Sequence, residues 1–308
     1  MATRGVHIIN VPFGLGAGTP GTEHGPEAIW RAGLEARLAG LGLQVTKAET
    51  VRLQEDGAEA DRQDGPQDGA ETRARNRAAV ERLGALLAPR VRAAAAGGDF
   101  PLVLGGDHSI ATGTLAGLTA HYPRLGVIWF DAHSDLNTEA TTPSGNMHGM
   151  SLAAALGRTI HKLTDIPGAG PLVRPERVVL VGARDLDAGE RELIRREGIA
   201  CFSMHEIDKL GIARVMEEAV AIAGRDADGV HLSFDIDSVD PREAPGAGTP
   251  VAGGVSYREA HFALELLAES GKVTSMEMVE VNPRLDPEGR TAALAAELIG
   301  SLLGERIL

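Results

Sequence analysis

"VIWFDAHSDLN", residues 127–137, drives four apolar residues straight into Asp131, His133 and Asp135. A short run with no polar face fits a strand buried on both sides, the signature of a parallel sheet covered by helices. Side chains alternate along a strand, so Asp131, His133 and Asp135 can set out on one side of it. Similar runs predict strands over 6–13, 43–51, 101–106, 126–133, 177–183, 200–203, 229–237 and 273–281. Between them, Ala/Leu/Arg-rich stretches predict helices over 26–39, 71–96, 109–120, 188–197, 205–223, 257–269 and 290–303. That alternation predicts an α/β fold of three layers, α/β/α, around a mostly parallel sheet of roughly eight strands. The polar segment "LQEDGAEADRQDGPQDGAE" (53–71) reads as an exposed loop, not a linker, so residues 1–308 are expected to form one domain.

Composition narrows the function classes. A net charge of −13 with only 3% aromatic residues and no basic stripe argues against nucleic acid or an anionic membrane as partner. A small cationic molecule suits that field better. Cys201 is the only cysteine, so no intrachain disulfide is possible and a reducing compartment is expected. The start "MATRGVHIINVPFG" has no signal-type apolar core, and no apolar run reaches spanning length, so a cytoplasmic location is expected.

In open α/β sheets, ligands sit outside the carboxyl ends of the strands. Three strand ends there are chemically loaded. Besides Asp131, His133 and Asp135, "FDIDSVDP" places Asp235 and Asp237 on one face, and "LGGDHS" ends on Asp107 and His108 just before a helix. Carboxylates converging without countercharge would repel one another and protonate. Divalent cations resolve that conflict. His108, Asp131, His133, Asp135, Asp235 and Asp237 form an oxygen/nitrogen donor set without thiolate, unlike a structural zinc site. It suits a pair of borderline ions such as Mn²⁺ sharing some carboxylates. One D-x-H-x-D alone is also what a helix cap or turn uses; three such strand ends favour the metal.

"GGDHS", "FDAHSDLN", "TTPSGNMHGMS", "SFDIDSVDP" with "APGAGTPVAGGVSYREA", and "EVNP" together resemble the ureohydrolase family, and within it the arginases. The resemblance covers nearly the whole chain in the family's order. It implies a three-layer domain that binds two Mn²⁺ per subunit, with Co²⁺ or Ni²⁺ able to use the same ligands. Its reaction would be hydrolysis of the guanidinium of L-arginine to L-ornithine and urea by a metal-bridging hydroxide. His108, Asp131, Asp135 and Asp235 would hold one ion, and Asp131, His133, Asp235 and Asp237 the other. By the same resemblance, Glu280 would bind the guanidinium, Asp135 would protonate the leaving amine, and His148 would shuttle protons to solvent. Asn137 and Ser144, with Thr142 through water, would read the α-carboxylate. Asn146 and Thr249 would complete the substrate-binding set. Asp187 would read the α-ammonium, with Glu190 assisting through water. A homo-oligomer, trimeric or hexameric, is also implied.

Other readings of the same residues compete. Asp187 and Glu190 have the D-x-x-E spacing of a helix capping box, and the Ser/Thr/Asn loop is also turn-forming chemistry. Glu139 adds an acid near the expected carboxylate end, and Ser238 stands where the family more often has Gly. "GAGTPG" (16–21) matches a dinucleotide fingerprint, but Gly25-Pro26 intervene before the helix, which excludes that geometry. His7, His24, His121, His161, His205, His231 and His261 carry no motif and are expected to be solvated or structurally satisfied. Rival functions are another ureohydrolase (agmatinase, guanidino-acid hydrolase or formimidoylglutamase) and, from a different class, a non-catalytic metal-binding relative.

Overall fold

The computed structural model describes residues 5–53 and 73–306. Its strands are β1 (Val6–Val11), β2 (Val45–Thr50), β3 (Phe100–Gly105), β4 (Leu125–Phe130), β5 (Val178–Val181), β6 (Ala200–Phe202), β7 (Gly229–Asp235) and β8 (Val273–Val279). They form one eight-stranded sheet in the order β2-β1-β3-β8-β7-β4-β5-β6. Every neighbouring pair is parallel. All carboxyl ends therefore lie along one edge, with β3, β8, β7 and β4 adjacent in its middle.

The helices are α1 (Gly25–Arg31), α2 (Leu34–Gly40), α3 (Arg77–Ala96), α4 (Ala111–Thr119), α5 (Ser151–Ala155), α6 (Ala188–Glu197), α7 (Met204–Leu210), α8 (Ile212–Ala223), α9 (Tyr257–Ser270) and α10 (Arg290–Leu302). Strand alternation sorts the core into two faces. Ile128 and Phe130 pack with Leu232, Phe234, Met276 and Met278 under α1, α2 and α7 to α10. Val127 and Trp129 pack with Val103, Val178 and Leu180 under α3 to α6. This is the expected three-layer α/β/α arrangement.

Helix boundaries differ from expectation at glycines. The stretch 26–39 is two helices, α1 and α2, because Gly33 takes a left-handed φ of 96° between them. The stretch 205–223 divides into α7 and α8 at Gly211, with φ 80°. The stretch 109–120 opens with a 3-10 turn, His108–Ile110, before α4. The five residues of α5 are too few to show a period, and sequence reading missed them. Residues 71–72 of the expected 71–96 helix, and 54–71 of the acidic loop, lie outside the described residues. No helix among the described residues is long and apolar enough to cross a membrane.

Candidate metal and substrate site

Each loaded strand end is shaped by hydrogen bonds that turn carboxylates toward a common centre. After β3, Asp107 accepts from Ser109 N (2.9 Å) and Gly16 N (2.8 Å), which caps the 3-10 turn and sets His108 at its start. After β4, Asp131 Oδ1 accepts from His133 N (2.7 Å) and Oδ2 from the Trp129 indole N–H (3.0 Å). The Trp129 ring also stacks on His108, centroids 4.2 Å apart and planes within 6°. After β7, Asp235 accepts from Asp237 N (2.8 Å), and Asp237 accepts from Ala132 N (3.2 Å) and the Thr249 hydroxyl (3.0 Å). The side chains brought together are those the sequence singled out.

His108 Nδ1 lies 3.2 Å from Asp131, 3.1 Å from Asp135 and 3.1 Å from Asp235. His133 Nδ1 lies 3.4 Å from Asp131 and 3.1 Å from Asp237. His108, Asp131 and Asp235 make one group able to grip an ion; Asp131, His133 and Asp237 make another, with ligand atoms within 4.8 Å in each. Asp131 belongs to both. Asp135 takes a left-handed φ of 51°, and its buried Oδ2 has no hydrogen-bond partner among the described residues.

Electrostatics agree with a cation site. Burial and the charge of neighbouring Asp131 push Asp135 and Asp237 above the usual carboxylate range, and burial with Asp237 does the same to Asp235. Asp131, although buried, is held well below that range by His108 and His133 on either side. Both imidazoles are raised against the cost of burial by these carboxylates. Four acids thus compete for two imidazoles. A donor set of nitrogen and oxygen atoms with an orphaned carboxylate oxygen fits divalent cations, and supplies the countercharge that the protein lacks.

Beside this centre, Glu280 follows β8 at a left-handed φ of 64°, a strained state for a non-glycine residue. Its Oε1 accepts from His108 N (2.8 Å) and lies 3.0 Å from His148 Nδ1. Its Oε2 is buried without a hydrogen-bond partner among the described residues. Burial is outweighed by His148, which holds Glu280 below the usual carboxylate range. In return, Glu280 overcomes burial and lifts His148 to about 9.

At the far end, Asn137 donates to Asp187 Oδ2 (2.8 Å) and accepts from the Thr141 hydroxyl (2.9 Å). Thr142 Oγ1 accepts from Gly145 N (2.9 Å), and the exposed Ser144 hydroxyl accepts from Asn146 N (3.1 Å). Glu190 is buried with both oxygens engaged: Oε1 by the Ser134 hydroxyl (2.7 Å) and Leu136 N (3.1 Å), Oε2 by Asp187 N (2.8 Å). The capping box is therefore real, and it braces the 134–137 segment against α6. Glu139 is buried and accepts from Ile160 N (3.0 Å). Ser238 closes the turn after Asp237 by donating to Asp235 O (2.7 Å).

Several contributors were not expected at the site. The "GAGTPG" turn docks on the centre, since Gly16 O also accepts from His148 N (3.1 Å); a Cβ there would sit 2.3 Å from Ser109 Oγ. Arg184 donates to the carbonyls of Gly182, Asp237, Ser238 and Val251, stitching the loops after β5 and β7. His7, His161 and His261 are buried against Glu49, Glu81 and Ser301; Nε2 of His161 and of His261 has no hydrogen-bond partner among the described residues, so structural satisfaction is only partial there. Trp129, Ser233, His231 and Glu277 lie behind His108. The available signal was polar residues inside the buried strand β7 and the buried part of β8.

Comparisons with known proteins find relatives along nearly the whole chain. A sequence model of the arginase family matches residues 4–304. The arginase of Bacillus caldovelox is 50% identical over 311 residues, covering 98% of this chain and 99% of the relative. The arginase of Brevibacillus brevis is 49% identical, covering 99% of each. The solved native structure of the Bacillus caldovelox arginase superposes with a TM-score of 0.92 at 48% identity, covering 99% of this chain and all of that one.

Proposed function

Because the chain belongs to the arginase family and is an enzyme of that kind, we propose that it hydrolyses L-arginine to L-ornithine and urea with two Mn²⁺ ions. His108, Asp131, Asp135 and Asp235 would hold one ion, and Asp131, His133, Asp235 and Asp237 the other. Co²⁺ and Ni²⁺ can use the same donors. When bound, the ions supply Lewis acidity and a lowered water pKa, and so a nucleophile at neutral pH. The same reading takes the chain as one domain, working in the cytoplasm as a homo-oligomer.

The observation that carries the reading is Glu280 with its free, buried Oε2 beside the ligand cluster. A guanidinium stays cationic, with pKa above ~12, and can only donate. An ionised carboxylate with one committed and one open oxygen orients it through a charge-assisted hydrogen bond. His148, hydrogen-bonded to Glu280 and 15% exposed, connects that carboxylate to solvent and carries protons between them. Asp135, whose Oδ2 makes no hydrogen bond among the described residues, would take up the proton released by the attacking water and pass it to the departing amine, which leaves poorly otherwise. Asn137 and Ser144, with Thr142 through water, bind the α-carboxylate, Asp187 binds the α-ammonium, and Asn146 belongs to the substrate-binding set. Thr249 acts through Asp237, and Glu190 through the loop and Asp187 that it braces.

An agmatinase, guanidino-acid hydrolase or formimidoylglutamase would share the metal centre and differ at this far end. Urea release by Mn²⁺-loaded protein separates them. Arginine should exceed agmatine in kcat/KM by on the order of 100-fold, because a site built for a carboxylate discriminates against its absence. Faster turnover of agmatine would sink the reading. Absence of any urea with metal bound would point to the non-catalytic relative. Ser144→Ala should raise KM for arginine by roughly tenfold, the cost of one hydrogen bond to a charged group, and leave that for agmatine nearly unchanged. Equal effects on both would mean Ser144 does not read the carboxylate.

A further inference from the structure

Behind the site, a file of polar side chains runs between the two central strands. In register, His231 of β7 faces Ser275 of β8 and Ser233 faces Glu277. All four are at most 1% exposed. Ser233 Oγ lies 2.7 Å from His108 Nε2 and donates to Glu277 Oε1 at 2.7 Å. His231 sits against the same carboxylate, with Nε2 3.3 Å from Glu277 Oε1 and Nδ1 3.0 Å from Ser275 Oγ. Glu277 Oε2 has no hydrogen-bond partner among the described residues. A carboxylate in the middle of a sheet is costly, and nothing in the catalytic steps uses it.

Hydrogen-bond direction gives it a purpose. An ionised carboxylate only accepts, so the single proton of Ser233 must point at Glu277. The lone pairs of Ser233 are then left to face His108, which must carry its proton on Nε2. Nδ1 is thereby kept as a lone-pair donor, and Nδ1 is the atom that faces Asp131, Asp135 and Asp235. Trp129 stacking fixes the ring plane, so both orientation and tautomer are set. Carboxylate partners behind a ligating histidine raise its basicity in this way, here through an intervening hydroxyl.

We propose that Glu277 and Ser233 are positioning residues, a relay that holds His108 in its metal-binding tautomer and strengthens the ion on the His108 side of the pair. This deepens the reading above and rests on His108 being a ligand. His133 belongs to the other group and takes no part in the file. Selectivity between the two ions is therefore the readout, since a merely structural defect would not choose one of them.

The test is Mn²⁺ titration of full-length protein followed by calorimetry and metal analysis. Wild type should take up two equivalents. Ser233→Ala should weaken one equivalent by about 10- to 100-fold and leave the other within about threefold. Glu277→Gln keeps the shape and removes the charge, and should weaken the same equivalent less. It also serves if Ser233→Ala does not fold. Two unchanged equivalents in Glu277→Gln and Ser233→Ala, or equal weakening of both, would overturn the relay while sparing the metal site. Wild-type protein that binds no divalent ion would overturn the metal site itself, and the relay with it.

Discussion

Asp131→Ala is expected to remove metal and arginine hydrolysis together. Asp131 belongs to both three-residue groups found among the described residues, and with Asp235 to both proposed ion sets. Both of its oxygens are oriented, Oδ1 by His133 N and Oδ2 by the Trp129 indole. Its loss takes a donor from each ion and removes the carboxylate that keeps His108 and His133 facing inward. Activity should fall by at least ~1000-fold, about 4 kcal/mol of transition-state stabilisation. Metal analysis after dialysis should find neither equivalent retained, with circular dichroism confirming a folded chain. Asp131→Asn, which preserves volume, should lose metal in the same direction. Full occupancy in either variant would contradict the shared-ligand assignment.

Glu280→Gln is expected to separate catalysis from metal binding. Glu280 does not belong to either ligand group, yet its backbone is held in a strained conformation and one carboxylate oxygen is left open. Replacing the charge by an amide leaves a buried guanidinium without its counterion. Truncating one member of a buried charged pair costs about 2–5 kcal/mol, roughly 30- to 5000-fold in kcat/KM. Both metal equivalents should stay. His148 should lose the partner that lifts it to about 9, so its imidazole should titrate at lower pH in the variant. Proton NMR of the histidine ring follows that shift. An unchanged kcat/KM would remove Glu280 from the substrate site.

Much of the fold was legible because strands buried on both faces leave continuous apolar runs. All eight expected strands exist within a few residues of their expected ends. The six ligand candidates were legible too, since acids at the ends of such strands conflict with burial unless something compensates them. What escaped needed partners distant in sequence. Trp129 looks like one more core residue in "VIWF"; only the fold shows its indole holding Asp131 while its face supports His108. Ser233 and Glu277 are 44 residues apart and meet only through β7–β8 register. The D-x-x-E of Asp187 and Glu190 had two readings in the sequence. The structure places Glu190 in the cap and its bracing contacts, and Asp187 against Asn137. Gly33 and Gly211 interrupt helices whose apolar pattern runs on through them, and pattern alone does not see a positive φ.

Two metal ions are proposed to share Asp131 at the carboxyl ends of β3, β4 and β7. Anomalous diffraction from crystals grown with Mn²⁺, collected at the manganese edge, tests it directly. Two peaks are predicted, one among His108, Asp131, Asp135 and Asp235, the other among Asp131, His133, Asp235 and Asp237. A single peak, or two peaks that do not share Asp131, would contradict it.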